Sequence, residues 1–377
     1  MTKWMGRVSV TIVLAVLLGV ARIDATQIVT GSTGPGADYA FAVPDSWNGQ
    51  LVVYGHGIVD PSAPVALPTA QDGFQALRDA LLARGFAVAY SSYSENGYAL
   101  KDAAQRLHQL SGLFTARFGQ PSRTYLVAHS LGATAVQILA EKFPQQYDGA
   151  LAMCGLLGGG VPEVQYLGHV RVLFDAYFPG VLPGDLLDVP NATFRQGDPL
   201  FMAVLGALQQ GFATPGTPTL AFASAARLPF TSPTELILGA LNAIGFNIRF
   251  TNDLLQRAHG HSFFDNLDTV YPPAVDGVVD RFVATPDALN YLQHYYTPTG
   301  SLSFPMLTLH TTRDPVVPVF HQALYGSIAP AEWLVQRSVN AFGHCNFNQQ
   351  EMLTAFDDLV RWVNEGVRPA GGDATIR

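Results

Sequence analysis

Short apolar runs recur along the chain with a helix-length stretch between each and the next, and no other feature constrains the fold so strongly. Leu51-Val52-Val53-Tyr54, Phe86-Ala87-Val88-Ala89-Tyr90, Thr124-Tyr125-Leu126-Val127-Ala128 and Gly149-Ala150-Leu151-Ala152-Met153 each read as a strand with little polar alternation. Helical stretches near 70–84, 99–118 and 133–143 separate them, the first stopped by Gly85 and the second by Gly119 and Pro121. Strands that are apolar on both faces must be covered on both faces, and this spacing joins parallel strands through helical crossovers. The expectation is an α/β protein with a mostly parallel central sheet flanked by helices. Shorter β-like pieces at 28–30 and 39–43 precede it.

The rhythm breaks at Gly158-Gly159-Gly160. From there to residue 303 the chain reads as helical, with short apolar helices expected at 200–211, 218–228 and 232–245. Strand and helix then alternate again: a strand at 305–309, a helix near His321, a strand at 333–339 and a last helix at 349–363. A connection as long as 158–303 exceeds ordinary loops and must be a subdomain of its own. The expected plan is a sheet domain in two parts, 26–157 and 304–368, split by a helical cap or lid at 158–303. Residues 369–377 are expected to form a loose tail after Gly366.

Composition sharpens this plan. The chain is 48% hydrophobic and only 13% charged, so it is more apolar than ordinary soluble domains. Beyond the N-terminus no uninterrupted apolar run is long enough to span a bilayer, so the excess belongs in a core, a lid or an apolar binding surface. A net charge of −8 with no basic stripe excludes a nucleic-acid partner. At the N-terminus Lys3 and Arg7 precede a largely apolar stretch at 8–20, and small residues follow. This is the layout of a secretory signal peptide, cleaved after Ala21 or Ala25, and a spanning anchor would need a longer stretch. Residues 1–25 are therefore assigned to export, the mature protein to a secreted or periplasmic location without stable membrane insertion. The chain has two cysteines, an even count that permits one disulfide in an oxidising compartment.

The residues that carry chemistry begin with Val127-Ala128-His129-Ser130-Leu131-Gly132-Ala133. A serine between a buried strand and a helix, with small residues two positions to either side, resembles the nucleophile elbow of the α/β-hydrolases, Ala128 standing where glycine is usual. The turn is so tight that larger side chains at those positions would collide, and the serine is pushed outward over the helix N-terminus. The plainer alternative is an ordinary helix N-cap. A serine needs a base, and the base an acid to orient it. Arg313-Asp314-Pro315-Val316-Val317-Pro318 resembles the acid loop of that superfamily, and Phe342-Gly343-His344 its histidine loop, in the family's chain order. The resemblance implies the α/β-hydrolase fold, serine esterase or lipase-like, with Ser130, Asp314 and His344 as its triad. Asp148 and Glu163 are the alternative acids, because some hydrolases carry theirs near that strand. Tyr54-Gly55-His56-Gly57-Ile58 resembles the family's His-Gly loop. By that likeness the backbone N–H groups of Leu131 and Ile58 form the oxyanion hole, with Gly57 as the fallback second donor, and His56 is structural. Cys154 ends one strand and Cys345 follows His344, so the same fold puts both at the carboxyl edge of the sheet. They either bridge or stay as two buried thiols, and the bridge is the expectation.

The other histidines add little. His129 neighbours the serine but points away from it, and His310 and His321 flank the acid loop without an evident role. His259-Gly260-His261 with Asp265 lacks the further ligands of a recognisable metal site, so no metal is expected. No dinucleotide or phosphate-cradling glycine pattern follows the first strand, so no cofactor is expected. The leading function is cleavage of a small-molecule or polymeric carboxylic ester with an apolar acyl or alcohol part. The same triad also serves peptidases, amidases and acyltransferases, and a hydrolase fold without activity serves binding.

Overall fold

The computed structural model describes residues 25–376 apart from 72, 190 and 191, so all of the expected signal peptide except Ala25 lies outside the described residues. The first part of the chain contains β1 (Thr26–Ser32), β2 (Asp38–Pro44), β3 (Gln50–Gly55), α1 (Phe74–Ala83), β4 (Ala87–Ser91) and α2 (Leu100–Phe118). It continues with β5 (Arg123–His129), α3 (Leu131–Lys142) and β6 (Gly149–Met153). The segment that follows is helical: α4 (Gly160–Tyr177), α5 (Pro199–Ala213), α6 (Pro218–Ala225), α7 (Pro233–Arg257) and α8 (Pro286–Tyr296). The sheet then resumes with β7 (Met306–Arg313), α9 (Phe320–Gly326), β8 (Leu334–Phe342), α10 (Gln349–Glu365) and β9 (Gly372–Asp373).

The strands form one sheet in the order β1-β2-β4-β3-β5-β6-β7-β8-β9. Only β1–β2 and β2–β4 pair antiparallel; every pair from β4–β3 onward is parallel. Strand residues sort by parity, as a sheet covered on both sides requires. Leu51, Val53, Leu126 and Ala128 pack with α2 and α3 through Leu107, Phe114 and Val136. Val52, Tyr54, Tyr125 and Val127 pack on the other face with α1 and α10 through Leu77, Phe356 and Leu359. No helix among the described residues is long and apolar enough to cross a membrane.

The helical segment joins β6 to β7, which are neighbours in the sheet. It has its own apolar core, in which Phe174, Phe222, Leu236, Ile244 and Phe264 are buried. Arg171 is fully buried there, with Nε 2.7 Å from Asp175 and Nη2 donating to the carbonyls of Pro183 and Gly184 at 3.1 and 3.2 Å. A buried guanidinium is tolerable because it is paired and bonded on several sides. The two ends of the segment meet: a Cβ on Gly159 would lie 3.0 Å from Pro298 Cδ and 3.4 Å from the Tyr296 carbonyl. Further ties bind it to the sheet domain. Tyr166 Oη donates to Pro315 O at 2.8 Å, Tyr98 N donates to Asp253 Oδ2 at 2.6 Å, and Arg313 Nε lies 3.1 Å from Glu235.

Two elements differ from the sequence-based expectation. The helix expected to stop at Gly245 runs on to Arg257 as α7. Gly245 is there for packing, since a Cβ would come within 2.7 Å of Phe194 Cδ1. The tail at 369–377 is not loose over its described part. Gly372–Asp373 pairs with β8, Ala374 N donates to Ser338 O at 2.8 Å, and Ile376 N donates to Glu351 Oε1 at 3.0 Å. Backbone groups at an open sheet edge offer partners to any extended segment that reaches them, whatever its composition.

Candidate active site

Ser130 occupies the single position between β5 and α3, with φ 53° and ψ −127°. A side chain in this left-handed region costs on the order of 1–3 kcal/mol, so its surroundings must hold it there. Ser130 N donates to Met153 O at 2.9 Å, tying the turn to the end of β6. Its hydroxyl makes no capping bond to α3, which removes the plain N-cap reading. The small residues on either side have a specific cause. A Cβ on Gly132 would stand 2.5 Å from the carbonyl oxygens of both Gly55 and His56. A Cβ on Gly55 would in turn meet the Ala128 methyl at 3.1 Å. Thus the elbow is pressed against the end of β3, and the crowding comes from that strand rather than from the two flanking side chains meeting each other.

The structure brings the three residues of the expected triad together. His344 Nε2 is 2.8 Å from Ser130 Oγ, and His344 Nδ1 is 2.7 Å from Asp314 Oδ2. Asp314 is fully buried, and its Oδ1 accepts the backbone N–H groups of Val316 and Val317, each at 2.9 Å. Burial opposes ionisation of Asp314, but His344 and these donors outweigh it and hold its pKa below the usual value. Burial likewise opposes protonation of His344, yet the Asp314 charge and hydrogen bond raise its pKa overall. An ionised Asp314 accepts from Nδ1–H, which leaves Nε2 free to accept the Ser130 hydroxyl proton.

Gly57 and Ile58 lie beside the serine. A Cβ on Gly57 would be 3.2 Å from Ser130 Cβ, a tight contact that glycine spares the nucleophile. The backbone N–H groups of Leu131 and Ile58 bond to no other described residue. Both residues line a cavity of about 60 Å3 together with Ser130. Its walls are apolar, with Leu156, Val164, Leu167, Leu254 and Phe263 among them, so α4 and α7 of the helical segment cover Ser130 directly. A second cleft of about 550 Å3 also borders Ser130 and shares Ile58, Phe246 and Phe250 with the cavity; His344, Cys345, Phe347 and Arg249 border the cleft and not the cavity.

Cys154 and Cys345 form a disulfide with a Cα–Cα distance of 5.3 Å. It joins the end of β6 to the residue after His344. Of the remaining histidines, His56 stacks on Tyr93 at 3.8 Å and its Nδ1 donates to Gly57 O at 2.7 Å. Burial pushes its pKa down to about 4, as suits a neutral packing residue. His129 borders the larger cleft, but its ring nitrogens lie 3.2 Å from the Tyr54 hydroxyl and 3.3 Å from Met352 Sδ rather than on Ser130. His310 Nε2 donates to Val317 O at 2.7 Å, fixing the loop whose amides hold Asp314. Sequence reasoning left that role unassigned because the bond joins a strand residue to a loop that folds back over it.

The alternative acids are placed elsewhere. Asp148 sits at the start of β6, at the edge of the sheet opposite the serine, where it accepts Thr124 N at 2.8 Å. Glu163 is close to the site but bonds His321 Nε2 at 2.9 Å, and neither residue was expected to meet the other. The Gly158 N–H donates to His321 Nδ1 at 3.1 Å, so the imidazole proton sits on Nε2, facing Glu163. Burial raises the Glu163 pKa well above its usual value and lowers that of His321 to about 3, pushing both groups toward their neutral forms. Among the described residues, the one group of three metal-type side chains close enough to share an ion is Cys154, His344 and Cys345, where the sulfurs are bonded to each other. His259 and His261 are not part of such a group.

No family model matches the chain, and no curated protein matches its sequence. Solved structures do match. Feruloyl esterase B from Aspergillus oryzae superposes with a TM-score of 0.56 at 14% identity, over 91% of this chain and 81% of that one. Another esterase from Aspergillus oryzae gives a TM-score of 0.51 at 14% identity, over 91% and 80% of the two chains. At such identity the likeness speaks for the fold.

Proposed function

This chain has the α/β-hydrolase fold, and we propose that it is an exported serine hydrolase cleaving carboxylic esters with an apolar part. One observation carries the reading: Ser130 Oγ lies 2.8 Å from His344 Nε2, with Asp314 2.7 Å behind Nδ1, at the mouth of an apolar cavity. Ser130 Oγ attacks the ester carbonyl while His344 Nε2 takes its proton. The oxyanion is held by the backbone N–H groups of Leu131 and Ile58. His344 then gives the proton to the leaving alcohol oxygen, the carbon–oxygen bond breaks, and an acyl-Ser130 remains. Water, deprotonated by the same histidine, releases the acid. Asp314 keeps Nδ1 protonated and stabilises the imidazolium throughout.

Ester cleavage is favoured over removal of amino-terminal residues by the cavity lining. An aminopeptidase needs a charged carboxylate for the substrate ammonium, and the carboxyl of the cavity lining, Glu163, is held by His321 and pushed toward its neutral form by burial. Export is supported by the disulfide, which persists in oxidising compartments. A fluorophosphonate probe should label the full chain at Ser130, and Ser130→Ala should abolish labelling. Chromogenic short-chain esters should be turned over and aminoacyl anilides should not. Absence of labelling in the folded protein, or faster anilide cleavage, overturns the reading. N-terminal sequencing of protein recovered outside the cytoplasm tests export.

A further inference from the structure

We infer that the acyl group of the substrate occupies the smaller, apolar cavity and its alcohol part the larger cleft, so that the natural esters join a short acyl group to a large, polar alcohol. This rests on the hydrolase reading above and deepens it. The assignment of sides follows from the proton. His344 must protonate the leaving oxygen, so the alcohol has to depart on the side that His344 borders. His344 lines the cleft together with Cys345 and Phe347, and it does not line the cavity. Ser130 and Ile58 border both spaces, whereas Leu131, whose N–H also faces the acyl carbon once the bond to Ser130 has formed, borders the cavity and not the cleft.

Size then separates the two halves. A water needs about 10–15 Å3 of such space, so the cavity of about 60 Å3 has room for roughly five water-sized groups. That accommodates a short acyl chain or a single ring and stops a long fatty chain at the packed side chains of α4 and α7. The cleft of about 550 Å3 has no such limit. It continues past Asp60 and Arg249, which border both it and a further hollow of about 590 Å3.

Chemistry separates them as well. Phe246 and Phe250 border both spaces; to them the cavity adds a mostly apolar wall with Leu156, Val164 and Leu254 beside Glu163, Asn247 and Thr251, whereas the cleft adds Asp60, Gln71 and Arg249. Arg249 packs over both phenylalanine rings at 6.0 and 5.6 Å. Its Nε donates to Gly245 O at 3.1 Å, while its terminal nitrogens bond to no described residue. A guanidinium held over aromatic rings with its outer donors unused suits an alcohol part rich in hydrogen-bond acceptors.

A grid of esters tests the assignment with the wild-type chain. Along one axis the acyl group of a methyl ester runs from acetate through butyrate and hexanoate to decanoate. Along the other the alcohol of a butyrate ester changes from methanol to sucrose. The expected result is a kcat/KM that falls roughly tenfold or more between methyl butyrate and methyl decanoate, the scale of forcing extra methylenes into a packed space. Sucrose monobutyrate should match or exceed methyl butyrate. Val164→Ala, which widens the cavity, should move the acyl limit to longer chains without changing the order of the alcohols. A smaller fall along the acyl axis, or sucrose monobutyrate cleaved worse than methyl butyrate, overturns the assignment of sides while leaving the hydrolase reading in place. Turnover of no ester in the grid removes the hydrolase reading, and this inference with it.

Discussion

Replacing Asp314 by Asn separates the role of a charge from the role of a shape, because the local bonding dictates which way the amide must face. Oδ1 of Asp314 accepts two backbone N–H groups at 2.9 Å, from Val316 and Val317. An amide NH2 there would confront two donors, so the Asn oxygen must keep that position and its NH2 must take the place of Oδ2. It then faces His344 Nδ1, now 2.7 Å from an acceptor carboxylate. To avoid a donor–donor clash Nδ1 gives up its proton, which moves to Nε2, and the imidazole can no longer accept from Ser130. The expected loss in kcat is about ten-thousand-fold, on the order of 5 kcal/mol of transition-state stabilisation. Steady-state turnover of a chromogenic butyrate ester measures it, with circular dichroism confirming an unchanged fold. Residual activity should also shift on the acid side. Asp314 raises the His344 pKa, and the proposed mechanism needs the neutral imidazole, so wild-type activity should rise with pH through that raised value. Without the carboxylate the rise should occur at lower pH. Glu163→Gln and Asp148→Asn serve as controls with much smaller losses. A loss under tenfold for Asp314→Asn, or an equal loss for Glu163→Gln, would refute the assignment of the acid.

Other perturbations follow from the same geometry. Ser130→Ala should remove ester turnover by several orders of magnitude with the thermal midpoint little changed, and near-native turnover would sink the mechanism. Gly132→Ala should abolish or severely reduce activity and cost about 1–3 kcal/mol in denaturant titration, since the new methyl meets two backbone oxygens at 2.5 Å. Full activity in that variant would show that the elbow is not held by β3. The bond between Cys154 and Cys345 spans a sequence separation of 191, which in the chain-entropy model corresponds to roughly 5 kcal/mol. Reduction should lower activity before far-ultraviolet ellipticity changes, because it releases the residue next to His344. Simultaneous loss of both signals would contradict that order.

Much of this molecule was readable before any coordinate. The central strands β3, β4, β5 and β6 announced themselves because they are buried on both faces, so little that is polar interrupts them. Ser130 was legible because an elbow so close to β3 admits only small neighbours, a constraint that leaves a local mark. That Asp314 and His344 would meet beside Ser130 was legible through their order and their places after β7 and β8. What stayed hidden depends on contacts distant in sequence. Gly245 reads as a helix stop, and only the Phe194 ring lying on it shows that the glycine serves packing inside α7. The tail is ordered by unused backbone groups of β8, which no side-chain pattern records. The Glu163–His321 pair joins α4 to α9 across the whole helical segment and has no signature in either stretch.

The way the helical segment closes on itself bears on how the sheet is assembled in time. β6 and β7 lie side by side, yet Met153 and Met306 are separated by the entire segment. Joining them across a flexible chain of that length would cost about 4–5 kcal/mol of loop entropy beyond a constant term, before a single strand contact repaid it. A segment already folded around Phe174 and Phe222 brings Pro298 against Gly159, so the effective loop shrinks to the few residues on either side of that contact. Contacts that are remote along the chain then become near neighbours kinetically, and sheet completion acquires the speed of a short crossover. Substitutions at Phe174 or Phe222, far from Ser130, should therefore appear in refolding as slow acquisition of the reactive serine, with the half of the sheet from β1 to β6 forming on its usual schedule.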